Sequence, residues 1–296
     1  MKIAMPQEIT ESILTSNVSM DDEPAWTAGS YDVGDRVLFE RQIWQATTTT
    51  TDQPDAGAIK DPATWVRLGW SNRWRMFNDG VDSKTSNLDK IDVTIESSGA
   101  NTIVAALGLE AFEVTMQIID GATVEHEETI LLTNFLVDNV WDWFFKPYDT
   151  TEEALFNIPA GYGASDIRLL IEAFEETDTV KCGRVIIGRS SELGVTLRGT
   201  SVSSLSYSRR DRDGFGNLIT VPRRTVKLVD YVVYVDTPRV SNVRSTLSRL
   251  DTSPTLFIGT ESAGFGSTIV FGIMQDYRIT YSTPSVSDMT LTVEGF

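Results

Sequence analysis

Apolar and polar residues alternate along much of the chain with the period of two that is typical of β-strands. In KIDVTI at 90–95, every second residue is Ile or Val, so one face of the strand can enter a core. Turn residues separate such segments, and the pattern predicts an antiparallel β-sandwich over residues 71–190. DTTEEALFNIP at 149–159 is expected to contain one helical turn. Further strands are expected at 101–108, 112–120, 129–138, 140–145, 167–175 and 180–190.

Residues 191–296 predict a second β-domain. SVSSLSYSRR at 201–210 and TVPRRTVKLVDYVVYV at 220–235 can pair as a long hairpin. They are joined by DRDGFGN, whose Asp-Gly and Gly-Asn pairs suit turn positions with positive φ. Two further strands and a last one, SDMTLTVEGF, are expected after the hairpin.

One helix is expected within this C-terminal domain, in DTPRVSNVRSTLSRLD at 236–251. Val243, Leu247 and Leu250 fall on one helical face, and Ser241 can cap the N-terminus. The helix is therefore expected to pack one face against the strands.

The first seventy residues divide into an arm and a small module. Residues 1–23 are polar and acidic and are expected to form an extended N-terminal arm, followed by a module at 24–70. In the module, Asp35–Phe39 and Gln42–Thr47 are expected to pair as short strands around a Glu-Arg turn. The chain is thus expected to be mainly β: a small aromatic-rich β-module, a central antiparallel β-sandwich and a C-terminal β-domain with one packed α-helix.

Charge is unevenly distributed along the chain. The net charge of −17 disfavours binding to nucleic acid. Residues 189–249 hold eleven Arg and Lys against five Asp and Glu, so this segment carries +6 and the remainder −23. A basic face on one subunit can meet an acidic face on the next, and a solvated surface is the alternative. The arginines expected at such a subunit contact are Arg209, Arg210, Arg212, Arg223 and Arg224.

The single cysteine, Cys182, permits neither an intrachain disulfide nor a Cys-based zinc cluster. The N-terminus lacks the apolar core of a signal peptide, and no run approaches the roughly 18 apolar residues of a membrane helix. The sequence therefore predicts folding in a reducing cytoplasm without membrane insertion.

The module resembles the chitin-binding-like carbohydrate-binding families 5 and 12. The positions that carry the resemblance are Trp26, Tyr31, Gly34 with Asp35, Val37, Trp44 with Ala46, and Trp65 with Leu68. The resemblance covers residues 24–69 and implies a sugar platform of exposed aromatic rings. In those families, adjacent aromatics commonly follow the aromatic-x-Ala motif, but here Thr47–Thr51 occupies that place.

Two interpretations of these aromatic residues follow. They can stack on the apolar faces of sugar rings, or they can fill the core of a unit too small to fold without large side chains. The core interpretation is favoured for Trp26, Tyr31, Trp44 and Trp65, and exposed rings are expected at Trp70 and Trp74. The residues predicted to contact any host glycan are Trp44, Trp65, Trp70 and Trp74.

The remaining 220 residues or so resemble structural proteins of tailed-bacteriophage virions. The segments that carry this resemblance are RWRMFNDGVDSKTS at 73–86, VWDWFFKPY at 140–148, RVIIGRSSELG at 184–194, DGFGN at 213–217, VDTPRVSNVRSTL at 235–247, and TLFIGTE with STIVFG. The resemblance implies a tail-tip, baseplate or fibre-attachment protein in the virion, assembled in the bacterial host cytoplasm. Its partners would be other tail proteins and copies of itself.

Enzymatic and metal sites find little support in the sequence, and no cofactor is expected. His126 is the sole histidine, and one histidine cannot supply a multi-histidine metal site. DRDGFGN resembles part of a calcium loop, but Thr220 stands where the bidentate Glu is needed. GYGASD at 161–166 lacks the third glycine of a dinucleotide loop. Two alternatives remain beside a structural role: a lectin-like protein that recognises host polysaccharide, and a glycan hydrolase of the tail.

Overall fold

The structure is a computed structural model that describes the chain except at residues 21, 79, 82, 98, 100, 135–138, 146–148, 213, 251, 252 and 263. At residues 133, 134, 142, 143 and 149 it describes the backbone alone. Strands hold 51% of the residues and helices 11%, which confirms the mainly-β prediction.

The strands and helices have the following bounds. The strands of the first half are β1 Lys2–Pro6, β2 Leu14–Ser16, β3 Arg36–Phe39, β4 Gln42–Ala46, β5 Trp65–Trp70, β6 Thr85–Leu88, β7 Lys90–Ile95, β8 Ile103–Leu107, β9 Glu113–Asp120, β10 Thr123–Leu131, β11 Thr133–Asn134 and β12 Asp149–Thr150. Those of the second half are β13 Glu153–Asn157, β14 Asp166–Glu172, β15 Thr179–Cys182, β16 Arg184–Glu192, β17 Val195–Thr196, β18 Ser201–Ser206, β19 Arg209–Arg212, β20 Leu218–Val221, β21 Thr225–Asp236, β22 Thr255–Ile258, β23 Ile269–Tyr281 and β24 Val286–Gly295. The helices are α1 Pro54–Ala58, α2 Asn72–Arg75, α3 Val140–Phe145 and α4 Val240–Ser248, with 3-10 turns at Glu11–Ile13, Thr237–Arg239 and Gly266–Thr268.

The largest sheet has ten strands and includes the start of the chain. Its order is β13-β8-β16-β1-β22-β23-β24-β21-β17, and β18 also pairs with β21. Within β1, Ile3 lies opposite Ser191 on one side and Phe257 on the other. Ile3 and Ala4 are both buried, and they belong to different core clusters. Residues 2–6 therefore form an inner strand of this sheet, because the strand is paired on both sides.

The expected boundary near residue 190 falls inside β16. This strand pairs with β8 from the predicted sandwich, and its last residues pair with β1. Backbone hydrogen bonds thus continue across the boundary, and strands from both predicted domains share the ten-stranded sheet.

A five-stranded antiparallel sheet, β10-β9-β14-β7-β2, supplies the opposite layer of the main core. Alternate residues of β7 and β14 are buried, as the period of two requires. These side chains pack against Val104, Phe156 and Ile187 of the larger sheet. The arrangement is sandwich-like, as the sequence predicts.

A second core lies between α4 and the C-terminal strands. Val243, Leu247 and Leu250 are buried against β21 and β24, as expected. The predicted cap is wrong: the helix begins at Val240 after a 3-10 turn, and Ser241 lies inside its first turn.

Two local predictions in the sandwich are also wrong. VWDWFF forms α3 instead of a strand, and ALFN lies in β13 instead of a helical turn. β13 pairs with β8 along its whole length, and Ala154 and Phe156 enter the main core. Pairing and burial outweigh the weak helical tendency of the Glu-Glu-Ala sequence.

Candidate interaction surfaces

The front module contains a three-stranded antiparallel sheet, β3-β4-β5. Its first hairpin turns at Glu40 and Arg41, where φ is 48° and 68°. Two successive residues with positive φ are the feature of a type I′ turn, whose twist matches that of the paired strands. The predicted Glu-Arg turn is therefore confirmed.

Trp65 is the centre of the module's core and is only 1% exposed. Its indole Nε1 donates a hydrogen bond of 3.0 Å to the backbone oxygen of Asp52. The Tyr31 ring meets it edge to face, with 5.3 Å between centroids. Gly57 leaves room for the indole, since a Cβ there would lie 2.5 Å from Cδ1 of Trp65. This ring is enclosed on several sides, so no sugar can stack on it in this conformation.

Trp44 and Trp26 are half-buried and pack against the cluster formed by Val37, Ala46 and Trp65. The Trp26 ring also meets Phe39 edge to face at 5.7 Å. Among the described residues, Nε1 of Trp26, Trp44 and Trp74 is buried without a hydrogen-bond partner. The packing is that expected of a small core, and these indoles do not form one open, flat row.

The expectation of an exposed ring at Trp74 is wrong, because Trp74 is 2% exposed. The guanidinium carbon of Arg41 lies 4.3 Å from the centroid of its ring, and Phe77 contacts it edge to face at 5.8 Å. β5 ends at Trp70 and α2 begins at Asn72, and Trp74 of α2 contacts Arg41 of the module. Trp70, at the end of β5, is half-buried and keeps part of its surface open.

Trp70 and Trp74 line a cleft of about 490 Å³ between the module and the larger sheet. Arg41 lines it from the module side, and Asn78 and Arg184 also contribute polar groups to the lining. Residues 5–9 and 253–255 complete the wall. A half-open indole beside amide and guanidinium groups has the composition of a site for a small polar ligand with one apolar face. Of the four predicted sugar contacts, the structure brings Trp70 and Trp74 together here and leaves Trp44 and Trp65 in the module core.

The predicted arginine group lies on a two-stranded ribbon, β19-β20, at the end of the long hairpin. Every described residue of both strands is exposed. At its base, the Tyr207 hydroxyl donates to the Glu294 carboxylate at 2.5 Å, and this bond raises the pKa of Tyr207. The Arg223 amide donates to the Ser208 hydroxyl at 3.0 Å. The ribbon is thus tied to β24 at one end and reaches into solvent at the other.

The register of the ribbon divides its arginines between two faces. Arg209 is opposite Val221 and Arg210 is opposite Thr220, so neighbouring arginines point in opposite directions. On one face, Arg209 forms a salt bridge of 2.5 Å with Asp211. On the other face, Arg210 and Arg212 share a surface with Thr220 and Leu218. The second face is therefore the basic one, and Arg223 and Arg224 lie beyond β20 at the base.

An exposed aromatic group that was not predicted as a site lies on α3. Val140, Trp141, Phe144 and Phe145 are 64–77% exposed. Their spacing of i, i+1, i+4 and i+5 is that of one helical face, and this signal was available in the sequence. We refer to these four residues as the aromatic tip.

The remaining candidate groups show no catalytic arrangement in the described part of the chain. His126 is half-buried on β10, among exposed glutamates. Burial raises the pKa of the Cys182 thiol to about 12, so this thiol is a poor nucleophile at neutral pH. No group of three or more His, Cys, Asp or Glu side chains that could hold a metal ion occurs among the described residues.

No protein-family model matches the chain, and no curated protein is significantly similar to it. Within the described residues, no helix has both the length and the apolar character needed to cross a membrane.

Proposed function

We propose that this chain is a non-enzymatic structural component of a bacteriophage tail, at the tail tip, the baseplate or a fibre-attachment point, and that it acts in virion assembly and host attachment. The observation that carries the proposal is the exposed ribbon with its basic face. The resemblance of residues 68–296 to tail proteins supplies the biological setting. Partners are other tail proteins and copies of this chain.

The ribbon differs in charge from the rest of the molecule. The ribbon with its base, residues 207–224, holds five arginines and two aspartates, a net charge of +3, so the other residues carry −20 and the total is −17. An exposed basic strand pair on an acidic protein is attracted to acidic surfaces of neighbouring subunits. Leu218, Ile219 and Val221 are exposed on the same ribbon and add apolar surface for a lasting contact.

Labelling of virions tests the biological setting. Gold-conjugated antibodies against the chain are applied to purified virions that carry its gene, both intact and after the tail is opened by denaturant. We expect label at one end of the tail. Particles without label in either state, and without the chain in their mass spectrum, would contradict the proposal.

Charge reversal tests the role of the ribbon. Arg210→Glu with Arg212→Glu is expected to weaken self-association or tail assembly, because both changes lie on the basic face. Arg67→Glu with Arg278→Glu, at exposed positions elsewhere, changes the net charge equally and is the control. Salt of about 1 M should weaken the wild-type contact, since it reduces the Debye length to ~3 Å. Equal behaviour of the two double variants would argue against the ribbon.

A second candidate function is recognition of a host surface polysaccharide, and the cleft beside Trp70 favours it. A glycan array with the full chain is the test. Trp70→Ala should abolish binding and Trp70→Phe should retain part of it, because a phenyl ring can still stack on a sugar. Binding that is unchanged in Trp70→Ala would remove this site from consideration. An assay for new reducing ends on the bound polysaccharide separates a lectin from a glycan hydrolase.

A further inference from the structure

The aromatic tip lies on a segment that leaves the sandwich and returns to it. β11 and β12 close its base by pairing Thr133 with Thr150 and Asn134 with Asp149. Between them, α3 carries Trp141 and Phe145, whose rings are in contact with 4.2 Å between centroids and a tilt of 36°. Both rings remain 64–70% exposed. An aromatic pair that is held in solvent by a closed base is costly unless another surface covers it.

An open apolar pocket lies beside the base of this segment. It has a volume of about 510 Å³, and its apolar lining is Ala111, Phe112, Ala173, Phe174 and Val180. Thr150, Thr179 and the acidic residues Glu110 and Asp178 complete the lining. Phe174 is 73% exposed and meets Phe112 edge to face at 5.0 Å. The volume is in the range of pockets that enclose small organic groups, roughly 300–1,000 Å³, so it can take one or two aromatic side chains.

The tip and the pocket are complementary surfaces of one molecule. The tip does not fill the pocket of its own chain, because its rings are exposed and the pocket is open. We propose that the aromatic tip of one copy inserts into the apolar pocket of a second copy of this chain. The inference deepens the proposed assembly function and rests on it, because it names a partner and the surfaces that meet.

The available area fits a contact that is repeated between copies. The exposed side chains of one tip would lose on the order of 400 Å² of apolar surface, which is less than the ~800 Å² per partner of a standard stable interface. When each copy supplies both its tip and its pocket, the buried area approaches that value. Each contact joins two different patches. Two copies related by a two-fold axis form an isologous dimer with two such contacts, and copies arranged head to tail form a heterologous ring.

Salt distinguishes this contact from the basic ribbon. The four tip residues are uncharged, and most of the pocket lining is apolar, although Glu110 and Asp178 also line it. The whole chain carries −17. Salt screens the repulsion between acidic copies and leaves apolar association intact. Association through the tip should therefore persist in salt that weakens association through the ribbon.

The test is sedimentation of the full chain over a wide range of concentrations in about 1 M salt, where ionic contacts are screened. Phe144→Ser with Phe145→Ser changes the tip, and Phe174→Ser changes the rim of the pocket. Ile59→Ser, at an exposed apolar position of the module, is the matched control. We expect the tip and pocket variants each to weaken self-association at least about tenfold, and the control to equal the wild type.

Mixing the two variants makes the test specific. A tip variant retains its pocket and a pocket variant retains its tip, so a mixture can form one intact contact. We expect the mixture to form heterodimers at concentrations at which each variant alone is monomeric. A mixture that behaves as the sum of its parts would overturn the inference.

Each remaining outcome also decides the inference. If tip and pocket variants associate like Ile59→Ser while the ribbon variant dissociates, the inference fails and the proposed assembly function stands. If the wild-type chain is a monomer in all conditions but labelling finds it in virions, the inference also fails and the proposed assembly function stands. Loss of virion labelling contradicts the proposed function itself. If the tip variants differ from wild type only in flotation with phosphatidylglycerol vesicles, the tip binds lipid and the inference is wrong.

Discussion

The front module and the segment around α3 use the same residue types in opposite ways. In the module, Trp65 is enclosed by Tyr31 and by α1, which contains Gly57, and its N–H group has a partner. On α3, the Trp141 ring contacts the Phe145 ring, yet most of its surface is exposed. Both segments are rich in aromatic residues, so aromatic content does not distinguish a core from a contact surface.

The difference lies in what faces the rings. The module places three strands and α1 around one indole, and this closes a core within about fifty residues. α3 is six residues long, and the strands before and after it, β11 and β12, have only two residues each. A short helix cannot cover its own side chains, so a second layer has to come from another chain or another surface. This comparison can be tested residue by residue.

The largest effect is expected at Trp65. Trp65→Ala should lower the free energy of unfolding of the module by about 3–5 kcal/mol, because it leaves a cavity and removes the donor to Asp52. Urea denaturation followed by tryptophan fluorescence measures the loss. A loss below about 1 kcal/mol would mean that the module core tolerates a cavity. The contrast between an enclosed ring at Trp65 and open rings on α3 would then be wrong.

A buried thiol in the main core extends the comparison to pH. Burial raises the pKa of Cys182 from 9.0 to about 12, so above pH 9 the unfolded chain loses the thiol proton while the folded chain keeps it. The free energy of unfolding should therefore fall by up to about 1.4 kcal/mol for each pH unit above 9. Urea melts of the wild type and of Cys182→Val between pH 8 and pH 10 isolate this component. Parallel pH profiles for the two proteins would show that the thiol is not protected.

Arg41 connects the turn of the module to Trp74. Arg41→Gln should cost about 0.5–2 kcal/mol, because the cation over the ring is lost while the length of the side chain is largely kept. Arg67 is an exposed residue of β5 in the same module, so Arg67→Gln is the control and should have little effect. Thermal unfolding of the two variants gives the comparison. Equal stabilities would show that the Arg41 contact contributes nothing measurable.

The smallest effect is expected on α3. Phe144→Ala should change the free energy of unfolding by no more than about 0.5 kcal/mol when measured on the monomer, because the side chain is largely exposed. A loss of 2 kcal/mol or more at low protein concentration would place Phe144 in a closed core. The distinction between the module and the tip would then disappear.

Local features were well predicted where neighbouring residues decide them. The Glu40-Arg41 turn, the period of two in β7 and β14, and the helical face of Val243, Leu247 and Leu250 all follow from spacing within one segment. Turn geometry and side-chain direction depend on a few consecutive backbone angles, and the sequence contains that information directly.

Features that depend on distant partners were predicted less well. Lys2–Pro6 becomes an inner strand only because β16 and β22, far along the chain, leave a place between them. Trp74 is covered by Arg41, which reaches its ring from the first hairpin of the module, as well as by the neighbouring Phe77. For α3, a helical spacing was present, but the apolar run also fitted a strand. Short apolar segments do not distinguish the two by themselves.

The sequence alone determined that the protein is mainly β, where its hairpins turn, and that a basic group lies in an otherwise acidic chain. Only the tertiary structure decided which aromatic rings are enclosed and which remain open, and which arginines share a face of the ribbon. The physical reason is that burial and charge contacts depend on which surfaces meet in space. Those surfaces are set by pairing between segments that are remote in sequence, and the alternation within each segment does not encode the partner.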